Sequence, residues 1–117
     1  MGAFAVLNQN KDFRTLYYRG KSKVHPLLVT YVRKGRVQTS RVGITTSKKI
    51  GKAVQRNRCR RIIREAYRQL MPKIQGNYDI VFVARTKTAE STTAEIKDIM
   101  QQQFMELGLI QTGRDLL

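Results

Sequence analysis

One uninterrupted apolar run constrains the fold of this chain more than any other feature of its sequence. Residues 78–84 read YDIVFVA, with Asp79 as the one charged side chain among them. A strand with this continuous apolar pattern, rather than an alternating one, is buried on both faces of its sheet. The run therefore predicts a central strand, and helices must cover the sheet around it.

A short helix is predicted near the start of the chain, over residues 10–18. Asn10 is its expected N-cap, and Gly20 marks its C-terminal stop. The apolar side chains at helical spacing are Phe13, Leu16 and Tyr17.

Two strands are predicted to follow this helix as a β-hairpin. Residues 27–32 read LLVTYV, and residues 34–36 are expected to turn into a second strand at 37–46. The period of two places Val29 and Tyr31 on one face of the first strand. The opposite face receives Leu28, Thr30 and Val32.

Two longer helices complete the pattern. Residues 53–71 lack Gly and Pro, and Pro72 ends the helix. One arc of this helix gathers Cys59, Ile62, Ile63, Ala66 and Leu70, and the roughly opposite arc gathers Asn57, Arg60, Arg61, Arg64 and Arg68. The last helix begins at a capping box formed by Thr92 and Glu95 and ends before Gly108.

The predicted element order, α-β-β(-β)-α-β-α, describes a single-domain α+β sandwich in which helices pack on a small mixed β-sheet. No repeat, low-complexity tract or linker divides the sequence, so residues 1–117 are expected to form one domain. Its ends, residues 1–8 and 109–117, are expected to be loosely ordered.

The charge of the chain limits its partners. It has 23 Lys and Arg against 8 Asp and Glu, which gives a formal net charge of +15. Nucleic acid is the first candidate partner, because each neutralised phosphate releases counterions, and a membrane surface is the second. A single cysteine, and the lack of a signal peptide or an apolar stretch of about 20 residues, predict a cytoplasmic protein.

Much of this charge lies between residues 48 and 64, which contain eight basic residues and no acid. A solvated helix face usually interleaves Glu with Lys and Arg, and here only Glu65 follows the run. The pattern favours phosphate binding over solvation, since arginine grips phosphate with two parallel hydrogen bonds. The eight residues are Lys48, Lys49, Lys52, Arg56, Arg58, Arg60, Arg61 and Arg64.

Aromatic side chains form a second feature. Phe13 and Tyr17 lie one helical turn apart, and Tyr31 lies on the predicted hairpin with Val29 beside it. If the helix crosses that face of the sheet, the rings form a shelf on which bases of single-stranded RNA stack. The alternative, that the rings only fill the core, is at least equally supported by the pattern.

The sequence does not predict a protein active site. The eight acids are scattered without a motif that pairs them, and the one histidine, His25, precedes a proline. Tyr18, Tyr67 and Cys59 are expected to be packing residues. One His and one Cys cannot supply the roughly four ligands of an ordinary zinc site.

Residues 41–68 resemble the bacterial ribonuclease P protein subunit. They read RVGITTSKKIGKAVQRNRCRRIIREAYR, with an Arg-Asn-Arg motif at 56–58. Similarity continues in the NKDF sequence of the first helix, in the first predicted strand and in residues 79–85. It covers roughly residues 8 to 107.

The resemblance implies a left-handed β-α-β crossover, an exception to the right-handed rule. It implies that a large RNA carries out catalysis, removing the 5′ leader of precursor tRNA, and that this chain is the non-catalytic protein cofactor of that endoribonuclease. The implied partners are ribonuclease P RNA and precursor tRNA, without a membrane or a small-molecule substrate. The implied cofactor is Mg²⁺ bound mainly by the RNA, with no organic cofactor and no metal in the protein.

The resemblance also assigns roles to particular residues. Those implied to line a cleft for the single-stranded leader are Phe13, Tyr17, Val29, Tyr31 and Thr45. Those implied to face the ribozyme and the cleavage-site region are Lys48, Lys49, Lys52, Arg56, Asn57, Arg58, Arg60, Arg61, Arg64 and Arg68. Residues 1–10 depart from the family, whose members commonly carry basic side chains there, because they contain none.

Two other functions explain part of the sequence. A structural ribosomal or rRNA-assembly protein accounts for the charge but has no need of an aromatic shelf. A self-sufficient nuclease would cleave RNA with metal alone, and the scattered acids argue against it.

Overall fold

The computed structural model describes residues 5–35 and 39–111. Its strands are β1 (Ala5–Val6), β2 (Lys21–His25), β3 (Leu28–Lys34), β4 (Arg41–Thr45) and β5 (Tyr78–Ala84). Its helices are α1 (Asn10–Arg19), α2 (Ala53–Leu70) and α3 (Thr93–Leu107), and 3₁₀ turns lie at Lys48–Ile50, Met71–Lys73 and Thr88–Glu90. The strands form one mixed sheet in the order β1-β4-β5-β3-β2.

The apolar run forms the central strand β5, as predicted. β5 pairs antiparallel with β3 and parallel with β4, and Ile80, Val81 and Phe82 are fully buried. α2 and α3 cover the face that carries Ile80 and Phe82, whereas α1 packs on the face that carries Val81. This arrangement confirms the α+β class, and β4, α2 and β5 form a β-α-β unit.

The predicted hairpin between residues 27–32 and 37–46 is wrong. β3 forms its hairpin with β2, and β4 lies on the far side of β5. The strand with two apolar faces gains most from the central position, whereas β2, whose residues are almost all exposed, suits an edge. Residues 36–38, which include part of the predicted turn and strand, lie outside the described residues.

Both long helices are confirmed. The apolar arc of α2 is buried, and the Tyr67 ring packs against Phe82 and Phe104 with centroid separations of 5.8 and 6.3 Å. α3 begins at the predicted capping box. The Glu95 amide donates to Thr92 Oγ1 at 3.1 Å, and the Thr92 amide donates to Glu95 Oε1 at 2.9 Å.

Two expectations about chain ends are corrected. The N-cap of α1 is Gln9, and Asn10 is already the first helical residue. Leu7, Leu109 and Ile110 are buried rather than loosely ordered, because their apolar side chains complete the two hydrophobic clusters of the domain. The remainder of both ends lies outside the described residues.

Candidate nucleic-acid interface

The sheet face beside α1 brings together side chains from three strands. Strand pairing aligns Tyr31, Val81 and Gly43 in one row across β3, β5 and β4, and Val29, Val83 and Thr45 in the next. Residues two apart in a strand share a face, so both rows lie on the same side of the sheet. Val83 and Thr45 are half-buried, which shows that α1 leaves part of this face open.

The Phe13 ring lies over β4 in the space that a glycine leaves. A Cβ atom at Gly43 would lie 2.7 Å from two carbons of the Phe13 ring, so the ring occupies space that any other residue would fill. Leu16, one turn along α1, is buried with Leu7 and Val81. These contacts fix the position of α1 on the sheet and leave the Phe13 ring half-buried.

Tyr17 and Tyr31 form the other wall of this surface. Their ring centroids are 4.9 Å apart with planes at 72°, an edge-to-face pair. Tyr17 is 43% exposed, Tyr31 is half-buried, and Val29, on the same face of β3 as Tyr31, is buried. We call the surface formed by these residues the aromatic cleft, and its members are Phe13, Tyr17, Val29, Tyr31 and Thr45.

The structure places the five residues that the family resemblance implies for a leader cleft on one side of the sheet. The alternative that the rings only fill the core does not hold for Tyr17, which is exposed. Leader binding itself stays a prediction, and the geometry it requires, partly open rings beside an apolar floor, is present.

The basic residues form a strip that starts near the end of β4. Lys48 and Lys49 lie on a 3₁₀ turn, and Lys52 is the N-cap of α2. Arg61 and Arg64 on α2 are exposed, as is Asn57. We call the full predicted set the basic strip, and its members are Lys48, Lys49, Lys52, Arg56, Asn57, Arg58, Arg60, Arg61, Arg64 and Arg68.

Four arginines of the basic strip make hydrogen bonds within the protein. The Arg56 guanidinium donates to the Gly51 carbonyl at 2.7 Å, and Arg60 donates to the Ile44 carbonyl at 3.4 Å. Arg58 donates to the Ala89 carbonyl at 2.6 Å, and Arg68 donates to the Glu65 carboxylate at 2.7 and 3.1 Å. These bonds restrict the positions of both guanidinium groups. The structure therefore divides the strip into four arginines that are hydrogen-bonded within the protein and exposed side chains such as Arg61 and Arg64.

The Arg68–Glu65 pair changes the charge available to a ligand. Hydrogen bonds from Arg68, and then from Gln69, lower the pKa of Glu65, which stays ionised. The hydrogen bonds to Glu65 also raise the pKa of Arg68. Because its charge is already balanced, Arg68 is less suited than Arg64 to neutralise a phosphate.

β4 connects the aromatic cleft to the basic strip. Its alternating side chains place Thr45 in the cleft and Ile44 against the core beneath α2. The Ile44 carbonyl accepts the hydrogen bond from Arg60, and the lysines follow within a few residues. The aromatic cleft therefore ends close to the start of the basic strip.

The structure corrects one expected packing role and confirms two others. Tyr18 is 88% exposed, so its predicted packing role is wrong; it lies on the opposite side of α1 from Leu16. Tyr67 and Cys59 are fully buried, as expected of packing residues. Burial raises the pKa of the Cys59 thiol and so disfavours the thiolate, which is the reactive form.

Sequence reasoning missed an ion pair at the other end of the sheet. Arg41 donates from Nε to Asp79 Oδ1 at 2.9 Å and from Nη2 to Asp79 Oδ2 at 2.8 Å. The bonds to Asp79 raise the pKa of Arg41. A lone acid inside an apolar run was the available signal, because a buried carboxylate needs a partner.

Metal-ligating side chains are scattered over the described residues. No group of three or more His, Cys, Asp or Glu side chains gathers anywhere in residues 5–35 and 39–111. Mg²⁺ takes oxygen ligands, whereas the basic strip presents N–H donors, so the strip does not fit this ion. No helix in the described part of the chain is both long and apolar enough to span a bilayer.

The fold and site together define a small basic α+β protein that binds RNA. A family model described as Ribonuclease P matches residues 1–108. A ribonuclease P protein component of Clostridioides difficile (strain 630) is 48% identical over 91 residues, 77% of this chain and 80% of that protein. One of Clostridium novyi (strain NT) is 45% identical over 105 residues, 88% of this chain and 93% of that protein.

Solved structures of two bacterial RNase P proteins are similar to this chain. The RNase P protein of Staphylococcus aureus superimposes with a TM-score of 0.80 at 28% identity, covering 93% of this chain and 100% of that one. The RNase P protein of Thermotoga maritima gives a TM-score of 0.74 at 29% identity, covering 91% and 97%. The chain belongs to the bacterial ribonuclease P protein family.

Proposed function

We propose that this protein acts as the cofactor of a ribonuclease P RNA and holds the 5′ leader of precursor tRNA in the aromatic cleft. The observation that carries the proposal is that β4 leads from an open aromatic surface directly into an acid-free basic segment. Single-stranded RNA needs rings for its bases and cations for its phosphates, and this arrangement offers both. An rRNA-binding protein would need only the second.

The basic strip is the surface for the catalytic RNA. Arg61 and Arg64 are exposed on α2 and Lys48, Lys49 and Lys52 precede it, so a crowded RNA backbone meets cations along the strip. Because the strip neutralises the negative charge of the RNA backbone, fewer Mg²⁺ ions are needed to screen one RNA from the other. Catalysis belongs to the RNA in this proposal, and the place of action is the cytoplasm.

The division of labour is tested by cleavage of precursor tRNA with a bacterial ribonuclease P RNA at low Mg²⁺ concentration. We expect cleavage at the mature 5′ end when protein and RNA are combined, and little from either alone. Cleavage by protein alone would place catalysis in this chain. No effect of the protein on cleavage would instead favour the rRNA-binding function.

The leader site is tested by the Tyr31→Ala variant. We expect the complex to bind leader-bearing tRNA about 1–3 kcal/mol more weakly, the range for one stacked base, because the variant removes a wall of the aromatic cleft. Tyr31→Phe, which keeps the ring, is the matched control. Mature tRNA without a leader should bind both variants like the parent, and an equal loss on leaderless tRNA would contradict the assignment.

A further inference from the structure

The outer face of α1, which points away from the sheet, is basic and carries an exposed ring. Lys11, Arg14, Thr15, Tyr18 and Arg19 line a shallow surface groove there. Tyr18 is 88% exposed, the highest value among the exposed large apolar side chains of the described residues. Neither the cleft nor the basic strip includes any of these residues.

The cations on this face have no acid to balance them within α1. The one acid in the helix is Asp12, and its carboxylate lies 4.0 Å from Arg41 on the side facing the sheet. Thr15 donates its hydroxyl to the Lys11 carbonyl at 2.8 Å and adds no charge. The face therefore presents positive charge that a phosphate backbone matches.

The outer face is continuous with the aromatic cleft. Tyr17 and Tyr18 are consecutive, so their side chains leave the helix about 100° apart. Arg14 is three residues before Tyr17 and four before Tyr18, which makes it a surface neighbour of both rings. A strand that leaves the cleft past Tyr17 reaches Tyr18 with a guanidinium between the two rings.

We propose that the outer face of α1 binds the distal part of the same single strand of RNA, with Tyr18 stacked on a base and Arg14 on a phosphate. This rests on the proposed function, because the strand reaches the outer face through the cleft. The ligand of this face is single-stranded RNA rather than folded RNA, because an isolated exposed ring stacks on an unpaired base. Leader length therefore contributes to affinity beyond the nucleotides that fill the cleft.

The test measures the affinity of the assembled protein–RNA complex for precursor tRNAs whose leaders are lengthened one nucleotide at a time. For Tyr18→Ala we expect parental affinity with short leaders and a loss of about five-fold or more once the leader passes the cleft. Tyr18→Phe should behave like the parent at every length. Arg14→Gln should lose affinity over the same lengths, whereas Lys73→Gln, which removes one charge elsewhere, should not.

The outcomes separate the two proposals. Parental affinity of Tyr18→Ala at every leader length overturns the outer-face site, and it leaves the cleft intact if Tyr31→Ala still loses affinity. An equal loss at all lengths, including leaderless tRNA, also overturns it, because the contact would then be to the catalytic RNA or the tRNA body. Failure of Tyr31→Ala to weaken leader binding overturns the leader site in the aromatic cleft, and the cleavage test of the cofactor role is unaffected by it.

Discussion

Gly43→Ala changes the aromatic cleft from a position that is not itself proposed to contact RNA. The backbone of Gly43 is not in the left-handed region, so alanine adopts it freely and any cost comes from space. The added Cβ would lie 2.7 Å from Cε1 and Cζ of Phe13 and 3.3 Å from the Leu7 Cβ. Carbon atoms pack at about 3.5–4.0 Å, so the ring must move by about 1 Å.

Overpacking of this kind costs about 1–3 kcal/mol. For a domain of this size each kcal/mol lowers the melting temperature by about 4 °C, so we expect a fall of roughly 4–12 °C. The displaced Phe13 ring also moves the cleft wall, and affinity for leader-bearing tRNA should fall with it. Leaderless tRNA should bind unchanged.

The assay is a double-mutant cycle with Phe13→Ala, measured by thermal and denaturant unfolding. Removing the ring removes the clash, so Gly43→Ala should cost at least about 1 kcal/mol less in the Phe13→Ala background. Gly35→Ala is the control glycine, since its Cβ would meet the Asn77 carbonyl at 3.3 Å and should be additive with Phe13→Ala. An equal cost of Gly43→Ala in both backgrounds would refute the reasoning.

Two further predictions concern the basic strip and the core. Arg64→Ala should reduce the salt slope of RNA binding by about 0.7–0.9, measured as log K against log salt, whereas Arg68→Ala should change it less because Glu65 already balances that charge; equal effects would contradict the division of the strip. Burial raises the pKa of Tyr67 to about 12, above its usual value of 10.0. The contribution of this group to the free energy of unfolding is therefore fully present below pH 10 and is lost as the pH rises through 12. Denaturant unfolding across that range should show a smaller alkaline loss for Tyr67→Phe, and equal losses would contradict it.

The elements with strong local patterns could be predicted from the sequence. The continuous apolar run of β5 and the capping box at Thr92 each specify one structure, because the signal lies within a few neighbouring residues. The apolar arc of α2 likewise identified the residues that are buried against the sheet. The alternation within β3 gave the right faces for Val29 and Tyr31.

Strand pairing could not be predicted in the same way. The hairpin assignment assumed that neighbouring strands pair, whereas β5, which lies far along the chain, inserts between β3 and β4. β2 was missed because its side chains are polar and exposed, a pattern that resembles a loop. The role of Gly43 could not be predicted either, because it depends on Phe13 crossing β4, and the sequence does not give the register of that strand.

The position of the cleft relative to the basic strip is set at the opposite end of the sheet. Arg41 and Asp79 are aligned in the β4–β5 pairing, and their two hydrogen bonds hold that register. A slip of one residue would turn Ile44 into the cleft and Thr45 into the core, because side chains alternate between faces. The ion pair therefore helps to fix which side chain of β4 faces the aromatic cleft and where the basic strip begins.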